Sequence, residues 1–129
     1  MAGTLVANTI NTDTGLFSTN NAYTGIAKAW VNFGYISSAV SVVNSFNVSS
    51  VTRNSTGNYT INFATAMTNA NYVLSGGFEA GSGNNTICIY SSGGIGSAPT
   101  LKSTTQAQVI CSGGAAQDPY SASVIFIGN

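Results

Sequence analysis

Along residues 45–63, SFNVSSVTRNSTGNYTINF, apolar and small polar side chains alternate on both sides of a short Asn-Ser-Thr-Gly break. Alternation with a period of two puts successive side chains on opposite faces of a strand, so the pattern predicts a β-hairpin. Its arms are residues 48–53 and 58–63, and Gly57 is free to take a positive φ in the turn. Tyr59, Ile61 and Phe63 fall on one face, Thr60 and Asn62 on the other. A slip of one residue would exchange those faces, so the register is well specified. Residues 26–33, IAKAWVNF, repeat the pattern: Ala27, Ala29, Val31 and Phe33 share one face, and Ile26, Lys28, Trp30 and Asn32 share the other.

Further strands are predicted at 5–10, 39–43, 71–78, 85–91, 100–111 and 121–127. Gly-rich breakers separate the later ones, at 81–85, 93–99 and 112–119. Helix formers such as Leu, Glu, Lys and Arg are scarce, and no window keeps an i, i+3, i+4, i+7 apolar stripe. Short strands spaced about 8–12 residues apart are the profile of an all-β, antiparallel β-sandwich or jelly-roll-like domain. That domain is expected to span residues 25–129. Residues 1–24 are more polar and read as an extended N-terminal arm, suited to a neighbouring subunit or a larger body.

Composition narrows the chemistry. The 129 residues suit a single domain. Only Asp13, Lys28, Arg53, Glu79, Lys102 and Asp118 are charged, and they sum to zero. Three scattered cations make no footprint for nucleic acid and no handle for an anionic membrane. The apolar runs are far shorter than the roughly 20 residues of a membrane helix. The opening MAGTLVANTI lacks the basic flank and long apolar stretch of a secretion signal, so assembly in a cytoplasm is expected. Ser, Thr and Asn together supply 47 residues, against 43% hydrophobic residues. The chain therefore folds, and it is solvated by hydroxyls and amides. Zero net charge favours association.

The same inventory argues against catalysis. There is no His, hence no imidazole base and no Ser–His or Cys–His pair. The three carboxylates are far apart in sequence, which suits neither a glycosidase pair nor a divalent-metal cage. No catalytic, cofactor-binding or metal-ligating residue is assigned, and no cofactor is expected. Cys88 and Cys111 each lie in a β-like run; they are candidates for two buried thiols or, if their strands are neighbours, for a disulfide. Trp30, Phe33, Phe46, Tyr59 and Phe63 sit inside alternating strands and are assigned to the core and to assembly. Tyr35, Tyr90 and Tyr120 lie nearer turns and are the candidate receptor or partner contacts.

Four blocks, KAWVNF at 28–33, SFNVSS at 45–50, TGNYTINFATAM at 56–67 and NANY at 69–72, occur in this order over about 45 residues. Together they resemble short β-rich modules of tail-fibre and other virion structural proteins of tailed bacteriophages. The opening GTLVANTI resembles a phrase common at the start of such proteins. Val43, Arg53, Asn58 and Thr68 stand where those modules often carry a basic residue, Asp, Asp and Pro. The resemblance implies a homotrimeric virion component. The expected role is a fibre or spike module whose loops meet a glycan or protein of the host surface. A capsid decoration, cement or collar protein, held to other virion proteins through residues 1–24, is the alternative. A stand-alone glycan-binding lectin is a further one. Copies of itself are the first expected partner.

Overall fold

In residues 58–63 every second side chain is buried, and this one strand displays the logic of the whole fold. Tyr59 and Ile61 are fully covered and Phe63 nearly so, while Asn58, Thr60 and Asn62 face outward. The computed structural model describes residues 9–12, 15–18, 25–80, 85–89, 102–112 and 115–128; for 9–18 and 85–89 the description is of backbone pairing. The described residues form ten strands: β1 Thr9–Thr12, β2 Gly15–Ser18, β3 Ala27–Ile36, β4 Ala39–Phe46, β5 Val48–Ser55, β6 Asn58–Phe63, β7 Val73–Glu79, β8 Asn85–Ile89, β9 Gln106–Cys111 and β10 Ser121–Ile127.

Eight strands, β3 to β10, pair antiparallel in the order β4-β3-β10-β7-β8-β9-β6-β5. This sheet folds over into the two layers of an all-β sandwich. β8 turns the corner, with residues 85–87 paired to β7 and residues 88–89 paired to β9. Strands that switch layers are how such corners are built. The inner faces then meet. Ala29, Val31 and Phe33 of β3, with Ala122, Val124 and Phe126 of β10, oppose Tyr59, Ile61 and Phe63 of β6 and Ala107, Val109 and Cys111 of β9. The alanines make room for rings. Phe33 lies 5.1 Å from Tyr59 between ring centroids. Phe63, Tyr72 and Phe126 form a mutual edge-to-face trio at 5.1–5.7 Å, the arrangement that the aromatic quadrupole favours.

At the other side of the sandwich the edge strands β4 and β5 are joined by Asn47 alone. Its φ of 54° is left-handed, a conformation Asn tolerates better than most residues. The Asn47 side chain secures the crossing. Its Nδ2 donates to the carbonyls of Lys28 (3.0 Å) and Thr65 (3.1 Å), and its Oδ1 accepts from the Thr65 N–H at 2.7 Å. The Ala64 N–H donates to the Asn47 carbonyl at 3.1 Å. Asn47 thus ties together KAWVNF, SFNVSS and TGNYTINFATAM, and NANY delivers Tyr72 to the core beside them. The order and spacing of the four blocks encode packing and a backbone joint.

Several sequence expectations are corrected. Phe46 is 53% exposed, and Trp30, which pairs with it across β3 and β4, is only partly covered. Both lie on the outer face, because the period of two that buries Val31 and Phe33 directs their neighbours outward. The predicted strand at 100–111 is shorter: β9 starts at Gln106, and Lys102 meets Ala107 in an isolated bridge around the 103–105 turn. Within residues 1–24, Thr9–Thr12 and Gly15–Ser18 pair into a separate two-stranded hairpin. Residues 5–8 of the predicted first strand lie outside the described residues.

Candidate functional site

The Asp118 carboxylate accepts four hydrogen bonds from three residues. The β5–β6 turn brings Gly57 and Tyr59 to it, and β5 brings Arg53. Arg53 Nε and Nη2 donate to its two oxygens at 2.9 and 2.8 Å, a bidentate pair. The Gly57 N–H and the Tyr59 hydroxyl donate to Oδ1 as well. Beneath this pair, the Arg53 guanidinium sits 4.5 Å from the centre of the Tyr35 ring. The Arg53 hydrogen bonds, helped by those from Tyr59 and Gly57, outweigh the cost of partial burial and hold the Asp118 carboxyl down at about 2. Tyr59 is shifted upward, by burial first and by its bond to Asp118 second. A carboxylate so acidic is a poor proton acceptor near neutrality, and both of its oxygens already accept hydrogen bonds. The cluster is a clamp that pins the β5–β6 turn to the loop before β10.

Gly57 shows how tight the clamp is. Its φ is +69°, and a Cβ there would lie 2.7 Å from the Cys111 carbonyl oxygen and 2.7 Å from the Gln117 nitrogen. The Cys111 N–H donates to the Gly57 carbonyl at 2.8 Å, which closes the turn onto β9. Composition held a signal for this clamp: Arg53 and Asp118 are two of only six charged residues and have opposite signs. Their separation of 65 residues hid the pairing.

Two surface features stand outside the core. The first is the free edge of β4, with sequence AVSVVNSF. It carries no charge and no proline, and it exposes Val42 (43%), Val43 (74%) and Phe46. A register shift in its pairing with β3 makes Val43 the extra residue of a bulge. The second is a groove of about 410 Å³ on the outer face of β3, β10 and β7. Its outward residues fall in two rows. Trp30, Ile125 and Ser75 are register partners in one row, and Asn32, Ser123 and Gly77 in the other. The groove was legible in one respect, since SGGF inside a strand pattern is a sign of a close backbone approach or a ligand.

The residues singled out from the sequence are dispersed. Tyr35 points into the end of the sandwich and is engaged by Arg53, so it belongs to the packing of the clamp rather than to an open contact surface. Tyr120 is 59% exposed beside that clamp, its N–H donating to the Glu79 carbonyl at 2.9 Å. Tyr90 lies outside the described residues. Phe33, Tyr59 and Phe63 are core residues. Cys88 and Cys111 are direct register partners across β8 and β9, and Cys111 is fully buried. Among the described residues no group of three His, Cys, Asp or Glu gathers as a metal site. No helix in them is long and apolar enough to cross a membrane. The chain matches no protein-family model, no curated protein and no solved structure.

Proposed function

We propose that this chain is an assembly module of a bacteriophage virion, of tail-fibre or spike type. It forms a homotrimer about a three-fold axis and presents its sandwich, in a jelly-roll-like arrangement, to the host surface. It acts by contact, without catalysis. The observation that carries this reading is the β4 edge. Its eight residues expose two valines and a Phe and carry neither charge nor proline, so the bulge at Val43 is what tempers pairing along an edge that soluble proteins ordinarily blunt or cover. Closed symmetric assembly covers such an edge with another copy. The overall neutrality of the chain and the four-block resemblance to virion modules point the same way.

A second reading, a capsid decoration or collar protein, is favoured by the β1–β2 hairpin. Among the described residues it pairs with no strand of the sandwich, and a two-stranded hairpin needs packing against another body to be stable in water. Such a hairpin gains stability by packing on a partner such as a shell. The test is twofold. Sedimentation equilibrium of the purified chain is expected to give a trimer. Quantitative mass spectrometry of purified particles is expected to find a few trimers per particle for a fibre, or hundreds of copies for a shell protein. A chain that stays monomeric and is missing from particles would remove both readings.

A further inference from the structure

We propose that the groove across β3, β10 and β7 is a binding site for a neutral hexopyranose of a surface glycan. This inference rests on the host-contact reading and moves the contact from the loops to the face of a sheet. The groove spans three strands, about 10 Å at the usual strand spacing. Its volume of about 410 Å³ lies within the range of small-ligand clefts, roughly 300–1,000 Å³. Trp30 and Ile125, opposite one another in register, supply an apolar wall. The carbon-bound hydrogens of a pyranose pack against an aromatic ring in the way other apolar surfaces do.

The facing row supplies hydrogen-bonding groups with capacity to spare. Asn32 Nδ2 donates to Ser123 Oγ at 2.8 Å. That bond orients the amide and leaves its Oδ1 and one N–H for a ligand, while Ser123 keeps its own hydroxyl hydrogen. Ser75, exposed at the end of the first row, adds a third polar group. Amides and hydroxyls that both donate and accept match vicinal sugar hydroxyls. Among the described residues no ionisable side chain lines the groove. A carboxylated or phosphorylated sugar would therefore leave its charge without a counter-ion, and the complementarity is to a neutral ring. Gly77 deepens the floor: a Cβ built there meets nothing within 4 Å. The groove starts one strand in from the β4 edge, where Trp30 pairs with Phe46, and runs away from that edge across β10 to β7.

Trp30 is the only tryptophan in the chain, so its emission reports on this site alone. The experiment titrates the full chain with the methyl glycosides of glucose, galactose, mannose and N-acetylglucosamine, and with glucuronic and sialic acids as charged controls. At least one neutral sugar is expected to change Trp30 emission with a Kd of about 1–10 mM, the range of a single small ring. The charged sugars are expected to bind at least tenfold more weakly. Gly77→Leu fills open space and is expected to keep the wild-type circular dichroism and melting temperature while weakening sugar binding at least tenfold. Asn32→Ala is expected to weaken it several-fold. The inference is overturned if no neutral sugar acts up to about 100 mM, if charged sugars bind equally well, or if Gly77→Leu binds as well as wild type. It is also overturned if Gly77→Leu dissociates the oligomer, for then the groove is a face between copies. Particle mass spectrometry reads the virion proposal separately: a chain found in particles but indifferent to every sugar loses this inference and keeps that one.

Discussion

Asp118 shows how much one carboxylate holds in a chain with almost no charge. Its pKa is lowered from the ordinary carboxylate value to about 2 in the fold, so the unfolded chain binds the proton more tightly. Stability from this group is fully present above pH 4 and is lost as pH falls towards 2. For a carboxylate partly open to solvent, the loss is on the order of 1–2 kcal/mol. Urea titrations at pH 5 and pH 2.5 are expected to show it, and Asp118→Asn is expected to flatten that part of the difference. At neutral pH Asp118→Asn should cost about 1–2 kcal/mol, because it weakens the bonds from Arg53, Gly57 and Tyr59 at a site partly open to solvent. Asn47 is the second key residue. Asn47→Ala loses the side-chain bonds and keeps a strained φ, for an expected cost of about 2–4 kcal/mol. Asn47→Gly relieves the backbone and should cost roughly half as much; equal costs by denaturant titration would show that φ contributes nothing.

Among the elements, the hairpins separate what is local from what is not. The β5–β6 hairpin is readable because alternation and a turn glycine coincide. The β3–β4 hairpin is harder, since its turn is Ser37-Ser38, with φ of 53° and 64° at both central residues. Such a turn prefers Asn-Gly. Replacing Ser37 by Asn and Ser38 by Gly is expected to stabilise the protein by about 1 kcal/mol, read as a higher urea midpoint at unchanged slope. The β4 edge yields a different kind of outcome. Val43→Lys alters a residue 74% exposed in the monomer, so stability should move by no more than about 0.5 kcal/mol. The same charge in an oligomer contact is expected to shift the sedimenting species from trimer to monomer. Trp30 and Phe46 carry the lesson at this scale. Hydrophobicity assigns them to the core, yet the register that buries Val31 and Phe33 turns both outward, and a strand cannot bury both faces when one looks to solvent.

For the whole molecule, the absence of histidine sets the response to pH. Nothing of that kind titrates between about pH 5 and 8, so stability is expected to be flat across this interval. At the alkaline end, burial pushes the Tyr72 hydroxyl up to about 12, and Tyr59 is shifted the same way. The unfolded chain then loses these protons first, so stability falls as pH rises above about 10 and towards 12. Denaturation midpoints measured from pH 2 to 12 should trace a plateau with two shoulders; a step near pH 6.5 would contradict this account.

The sequence by itself determined the strand-rich character, most strand positions, the buried face of residues 58–63 and the turn at Gly57. These follow from a side-chain period of two and from backbone preferences acting over a few residues. Only the tertiary structure decided that β10 lies between β3 and β7, that β8 turns the corner, that β4 is left as a bare edge, and that Arg53 meets Asp118. It also decided that Trp30 looks out over a groove instead of into the core. Those outcomes depend on pairing between distant segments, where many registers share the same local pattern and the packing of two inner faces selects one of them.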